Sequence, residues 1–380
     1  MNKFKFNGVG QGLFYAGTLF NGTFNFVFDC GTSNKKSYID RHINNYLHAI
    51  SHGGGKPHIH LMVISHLHKD HFSGLLDLAG KAVIDKIYLP YLGENSNFIK
   101  FALAYAIFYN PDSGNDSMDN ADNLALYSFM LRLYNVDDEI YNEVRLDIQR
   151  PEVLFVKSNK NRIGSNCLGE SETICIKDLW QFELYQRSFD VDVLQDLLTR
   201  IGQHVPRFDS FSLMNFIRSS HKALETIAKE YEAVFGKKNQ HKLNGGINIS
   251  SIVMIHYPLY PDAYALIYNG NEDNTDIYTN SVVTVLTGDA LDFDKYPRLI
   301  ESIKDKSVLF FQVPHHGAEE NWLSVKRAGF LKCEIEYYVI PFGLGNSYGH
   351  PNVNTLDSLI KSNKSFYNIT QLGSLTYSIL

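Results

Sequence analysis

The sequence predicts a mixed α/β (α+β) chain in which two sheets pack between helices, interrupted by a mainly helical insertion. Three observations carry this expectation. Strand patterns alternate with helical ones over residues 1–90 and again over residues 247–380. Residues 91–246 between them read mainly as helix, an insertion or cap on the outer two parts. Histidine and aspartate clusters directly follow buried-strand patterns in both outer parts, and strand ends are where open sheets place their chemistry.

In chain order, residues 4–6, 13–19 and 24–28 read as strands. The Asn21-Gly22 turn signal makes them an antiparallel meander. Tyr38, Ile39, His42, Ile43, Tyr46, Leu47 and Ile50 then recur at helical spacing, and Gly53 to Gly55 with Pro57 end that helix. Residues 59–65 form a β-branched and apolar strand, and 72–78 return to helical spacing. The middle section offers helices near 97–109, 121–134 and 191–202, and a longer one over 208–235. Short strands at 153–156 and 180–184 and a polar loop at 111–117 separate them. Strands return at 251–255, 282–286, 307–311 and 337–340, with helices at 296–303 and 353–360 among them.

Composition narrows the function classes. Apolar residues at 44% and charged residues at 20% are the proportions of a soluble globular protein. Cys30, Cys167, Cys175 and Cys333 are scattered with no C-x-x-C pair. That argues against a disulfide framework and for a reducing, cytoplasmic compartment. The N-terminus lacks the apolar core of a signal peptide, and the longest apolar run, 101–109, is far short of a membrane span. A net charge of -6 gives no global attraction for nucleic acid, so a polyanion would have to be gripped by a local patch.

The densest chemistry lies in His66-Leu67-His68-Lys69-Asp70-His71, three imidazoles and a carboxylate on a tight loop after a buried strand. A core tolerates crowded, unsatisfied imidazoles poorly, so this spacing points to a held cation. His52, His58 and His60 lie nearby without that spacing and read as loop or core residues. Three more groups follow strands in the C-terminal part: Thr287-Gly288-Asp289, His315-His316-Gly317, and Tyr348-Gly349-His350-Pro351. An isolated aspartate serves equally well as a helix N-cap. Adjacent histidines are not explained as caps. Together the groups supply enough nitrogen and oxygen ligands for two divalent cations.

The order of these motifs resembles the metallo-β-lactamase superfamily over about residues 4–90 and 246–380. Within it, Val9-Gly10-Gln11-Gly12, Phe28-Asp29-Cys30-Gly31, Pro314-His315-His316-Gly317 and Tyr348-Gly349-His350-Pro351 are most similar to the hydrolase domain of ComEC-type DNA-uptake proteins. The resemblance implies an αββα sandwich with metals at one edge. It implies that His66 and His68 hold one metal, that Asp70, His71 and His350 hold the second, and that Asp289 bridges them. Asp29 would brace the ligand loop. Asn248 stands where the wider superfamily has a third histidine for the first metal, so His315 or His316 would fill that vacancy. The reading favours His315 for the metal and His316 for the substrate. Fewer nitrogen ligands leave zinc and manganese both as candidates. Leu13 is a second departure, since ComEC-like sequences usually carry an acidic residue there.

Such a site implies metal-assisted hydrolysis, with a hydroxide shared by two divalent cations as nucleophile. Asp70 is either a ligand alone or also orients the nucleophile, and His316 protonates the leaving group. The resemblance favours a phosphodiester, hence a nuclease acting on DNA. Lys157, Lys160 and Arg162, with Lys237, Lys238, His241 and Lys242, form two basic groups that would grip a phosphate backbone; charged loops are usually just solvated. Two alternatives stand beside this. One is hydrolysis of a small ester, phosphodiester or lactam. The other is a metal-stabilised regulatory subunit of a multi-protein, defence-type system that meets a partner through the insertion.

Overall fold

The computed structural model describes residues 1–51, 54–108, 121–137, 147–156, 170–187, 191–205, 250–268 and 277–380, with isolated positions between 212 and 234. Most of the helix expected over 208–235, the 111–117 loop, His52, Cys167 and both basic groups lie outside the described residues.

The alternating apolar pattern at the N-terminus builds the antiparallel meander β1 (Asn2–Phe6), β2 (Phe14–Leu19) and β3 (Phe24–Cys30). Helix α1 (Lys36–Ile50) buries Ile39, Ile43, Tyr46, Leu47 and Ile50 along one stripe, as its spacing predicts. It returns the chain to β4 (His58–Val63), which is parallel to β3. Short helices α2 (Lys69–Phe72) and α3 (Leu75–Lys81) lead to β5 (Val83–Tyr88), again parallel. In the middle section α4 (Ser96–Phe108), α5 (Ala121–Leu133) and α6 (Val191–Gly202) are helical. The same section also contributes strands: β6 (Glu152–Leu154) extends the first sheet beside β5. The hairpin β7 (Glu170–Ile176) and β8 (Trp180–Gln186) joins the second sheet beside β9 (Val253–Pro258).

Strands β10 (Ala265–Tyr268) and β11 (Ile277–Thr279) return to the first sheet, while β12 (Val283–Leu286) pairs with β9. Helix α7 (Pro297–Lys304), β13 (Val308–Gln312), α8 (Glu319–Arg327), β14 (Ile335–Pro341), α9 (Val353–Lys361) and β15 (Ser365–Ile369) then alternate, with β12 to β15 mutually parallel. The last strand, β16 (Leu375–Ile379), pairs with β1. Among the described residues the sheet orders are β11-β10-β16-β1-β2-β3-β4-β5-β6 and β15-β14-β13-β12-β9-β8-β7.

Three apolar layers hold this together. Phe4, Phe6, Phe26, Phe28, Trp180, Phe310 and Tyr377 fill the seam between the sheets. Helices α1 and α3 to α5 cover the outer face of the first sheet, and α7 to α9 cover that of the second. The result is the αββα sandwich expected, with the C-terminal ends of parallel strands β3, β4, β12, β13 and β14 delivering the loops of interest. Among the described residues no helix is long and apolar enough to cross a membrane.

One polar chain runs through the dry seam. Tyr15 Oη lies 2.7 Å from His256 Nε2 and 2.6 Å from Tyr377 Oη, which in turn meets Thr284 Oγ1 at 2.5 Å. Phe4, Phe26, Trp180 and Phe182 surround the His256 ring, and burial pushes its pKa down to about 3. His42, buried and near Lys5 and Arg41, is pushed down to about 4. The folded state therefore keeps both rings neutral while the unfolded chain takes up protons at its ordinary imidazole value. Stability is full above that value and falls as pH drops toward the folded ones, by about 1.4 kcal/mol per pH unit for each ring. Thermal melts between about pH 7 and pH 5 should show this loss, and His256→Phe should make it shallower, leaving the share of His42 and the other histidines. A His256→Phe protein with an unchanged slope would refute the assignment.

Candidate metal centre

The ligand loop begins where β4 ends, and Asp29 anchors it from the end of β3. Asp29 is fully buried and held at φ +55°. Its carboxylate accepts hydrogen bonds from Ser65 N at 2.6 Å, Ser65 Oγ at 2.7 Å and His71 Nδ1 at 2.7 Å. Because the Ser65 hydroxyl donates to Asp29, its oxygen accepts from His66 Nδ1 at 3.0 Å. Both imidazoles are thereby protonated on Nδ1, and both Nε2 lone pairs turn into the site.

Close backbone contact fixes the same loop. A Cβ on Gly31 would lie 2.4 Å from the backbone of Asp70 and His71, so only glycine fits under the motif. Leu13, the departure noted above, is buried in the seam, and its N–H donates to the Asp70 carbonyl. Gly288, at φ +53°, packs its Cα face on Ser65, where a Cβ would come within 2.6 Å of that side chain.

The second sheet supplies the opposing ligands. Gln312, at the end of β13, accepts from Thr287 N and Gly288 N and donates to the Gly288 carbonyl. This holds the turn that presents Asp289. Asn321 on α8 donates to the carbonyls of Asp289 and Ala290, and its Oδ1 accepts from His315 Nδ1 at 3.0 Å. His316 Nδ1 donates to the Pro341 carbonyl at 2.7 Å. These ties again leave Nε2 of both histidines as the outward lone pair. The sequence reading did not pick out Gln312 or Asn321. A polar residue closing the apolar run Val308-Leu309-Phe310-Phe311 was the available signal for Gln312, whereas nothing local marks Asn321.

Two donor triads result, His66, His68 and Asp289, and Asp70, His71 and His316, each with ligand atoms within 4.8 Å of one another. His66 Nε2 lies 3.1 Å from His68 Nδ1 and 3.5 Å from Asp289 Oδ2. His316 Nε2 lies 3.0 Å from Asp70 Oδ2, and His71 Nε2 lies 3.2 Å from Asp289 Oδ1. His71 Nε2 and Asp289 Oδ1 are buried and face each other without forming a hydrogen bond to each other or to any other described atom, so the two triads meet at this pair. A divalent cation satisfies such a pair, and the donor set suits one in each triad.

Charge balance points the same way. Burial pushes His71 down, but the carboxylates of Asp289, Asp29 and Asp70 reverse this and hold it well above the ordinary imidazole value. Burial likewise opposes charge on His316, and its bond to Asp70 outweighs it. Asp289 would rise with burial, yet the neighbouring His315, His71 and His66 hold it well below the usual carboxylate range. Asp70 follows the same pattern, burial being outweighed by His71 and His316. His68 is pushed down to about 3 by burial and by His66, which Asp70 and Asp289 do not offset.

The sequence reading gave His315 to the metal and His316 to the substrate; the structure brings His316, nearly fully buried, together with Asp70 and His71. His315 is 34% exposed, and its Nε2 reaches Asp289 Oδ2 at 3.6 Å. Both residues lie at positive φ in one tight turn, which sends consecutive side chains to different places. His350, expected as a ligand of the second metal, lines the cleft outside both triads. Its ring is 5.3 Å from that of His315, and its buried Nδ1 has no partner. Burial, with His315 and His316, lowers its pKa to about 4. Asn248 lies outside the described residues. Above the triads opens a cleft of about 520 Å³, lined by Gln11, Asn34, Lys69, Tyr105, Tyr348 and the ligands themselves.

Residues 11–133 match the family model described as Metallo-beta-lactamase superfamily, a span that includes the His66–His71 loop but not Asp289, His315 or His316. No curated protein matches the chain.

Asp29→Asn tests the bracing. Either orientation of the new amide sets its N–H against another donor, His71 Nδ1 or Ser65 N. Chelator competition should show metal affinity reduced about 10- to 100-fold. Unchanged affinity in a folded variant would refute the tautomer assignment.

Proposed function

We propose that this chain, whose residues 11–133 match the metallo-beta-lactamase superfamily model, is a divalent-metal-dependent hydrolase that cleaves a phosphodiester of a nucleic acid. The superfamily match supports metal-dependent hydrolysis. The substrate rests on the resemblance of the Gly10-Gln11-Gly12, His315-His316-Gly317 and Tyr348-Gly349-His350 segments to ComEC-type hydrolase domains. The observation that carries the reading is the pair of triads meeting at His71 Nε2 and Asp289 Oδ1 on the floor of a cleft.

In this reading His66, His68 and Asp289, assisted by His315, hold one cation, and Asp70, His71 and His316 hold the other. Zinc and manganese both suit that mixed nitrogen and oxygen set. Cations bound there would supply Lewis-acid activation of the phosphoryl group and of the attacking water. The chain's own residues do the positioning. Asp29, Ser65, Pro341 and Asn321 fix the imidazoles so that no rearrangement is needed at the moment of reaction. Asp70, held as a carboxylate, accepts a proton-bearing group at the cleft floor. His350, free of both triads, takes the part first expected of His316 and donates a hydrogen bond to the leaving oxygen. Tyr105 and Tyr348 line the cleft and offer faces on which bases stack.

Purified protein reconstituted with Mn²⁺ or Zn²⁺ should hold about two equivalents and cleave single- or double-stranded DNA. Asp289→Ala and Asp70→Ala should each lower kcat/KM by about a thousandfold or more while circular dichroism stays unchanged. DNA left intact with every metal, alongside turnover of small carboxylic esters or lactams, would move the substrate class and refute the nuclease reading.

A further inference from the structure

Beside the ligands, three cleft-lining side chains offer hydrogen-bond donors that no described residue accepts. Lys69 sits inside the metal motif, between His68 and Asp70. Its ammonium has no hydrogen bond or ion pair among the described residues. Asn34 is oriented by its own acceptor: Oδ1 takes the Gln11 N–H at 2.5 Å, so Nδ2 is the free end. Gln11 repeats the device, because its Oε1 takes the Gly343 N–H at 3.2 Å and leaves Nε2 free. Gln11 is only 3% exposed, so its unused amide is held in place rather than loose in solvent.

These groups are neighbours. The Gln11 backbone bonds Asn34, and Asn34 and Lys69 together line both the 520 Å³ cleft and a 170 Å³ cavity beside it. Lys36 in that smaller cavity is engaged by Asp77 at 3.1 Å and Asp122 at 3.0 Å, so the local carboxylates already have their cation. Lys69 does not join them. An ammonium and two amide ends are donors only, and the ligand chemistry that matches three such groups is an oxyanion with several acceptor lone pairs.

We infer that Lys69, Asn34 and Gln11 form an oxyanion subsite beside the metal centre, which takes a phosphate of the substrate other than the one cleaved. Its role in substrate binding rests on the phosphodiesterase reading above. A flanking phosphate fixes the register of a polymer without reading its sequence, as backbone contacts do in nucleic-acid complexes. A free phosphate or a mononucleotide carries the same chemistry.

The test is a binding experiment on the Mn²⁺-loaded full chain. The probe is a short fluorescein-labelled DNA with a phosphorothioate backbone, which keeps its charge and resists cleavage, followed by anisotropy with inorganic phosphate as competitor. Lys69→Ala should weaken binding about tenfold, and Lys69→Arg should restore most of it. Asn34→Asp keeps the acceptor for Gln11 N–H but replaces the free amide with an anionic oxygen, and it too should weaken binding about tenfold. Metal content by mass spectrometry should match wild type in all three. Phosphate competing as well as the DNA would support the subsite with a small phosphate as its ligand. Affinities within about twofold of wild type for both Lys69→Ala and Asn34→Asp would overturn it. Wild-type turnover of bis(p-nitrophenyl) phosphate, which has no second phosphate, reports on the hydrolase reading separately. Turnover without Lys69-dependent binding sinks the subsite alone, and Lys69-dependent binding without turnover sinks the hydrolase alone.

Discussion

Buried negative charge is the constraint that organises this molecule. Asp29, Asp70 and Asp289 stand around one imidazole, His71, at 2.7, 4.0 and 3.2 Å. Two like charges about 4 Å apart repel by roughly 4 kcal/mol even at an effective dielectric constant near 20. A buried carboxylate without compensation costs several kcal/mol more. The seam therefore demands positive charge. It raises His71 and His316 against the burial that would lower them, and the same demand suits it to divalent cations.

Holding that charge in one geometry falls to the two sheets. Parallel strand ends bring the loops together, and backbone bonds then lock them to each other. Leu13 N–H reaches the Asp70 carbonyl, and Gly31 N–H reaches that of Leu13. Ile252 N–H, ahead of β9 in the second sheet, reaches the Ser65 carbonyl in the motif loop of the first. Slippage between the sheets would have to break that bond and misplace Asp289 against His71. The aromatic seam resists such sliding through close-packed rings, Phe310 against Tyr377 among them, with centroids 4.7 Å apart. Packing far from the candidate site thus sets the distance between triads.

Much of this was legible in the sequence, for identifiable reasons. The His66–His71 spacing is dense enough to announce itself, and the apolar runs before Asp289 and His315 mark buried parallel strands. Three kinds of feature were not legible. Helix α8 is polar along most of its length, so its buried Trp322 and Val325 do not stand out as a stripe. The pairing of β16 with β1 joins the two ends of the chain, and no local pattern encodes so distant a register. In the middle section the strands read at 153–156 and 180–184 are β6 and β8, but β7, with its alternating polar residues, had no such signal, nor did the way these strands extend both sheets. At the site, the order His315-His316 gave no hint of which ring turns inward. That choice depends on a positive-φ turn and on the Pro341 carbonyl, neither of which has a local signature.

An acidic chain with an acidic site still has a physical route to a polyanion. Net charge acts at a distance and is screened within about 10 Å at ordinary salt, whereas the groups in a cleft act at contact. With the carboxylates of Asp70 and Asp289 uncompensated, the cleft floor would repel a phosphodiester. Once that charge is balanced, the donors of Lys69, Asn34 and Gln11 beside it would meet an approaching phosphate. Lys69 carries its charge from within the motif itself, one residue from His68 and one from Asp70. The same six residues therefore hold both the groups that call for cations and the cation that calls for an anion. On the proposed function, substrate affinity in such a cleft would follow metal loading.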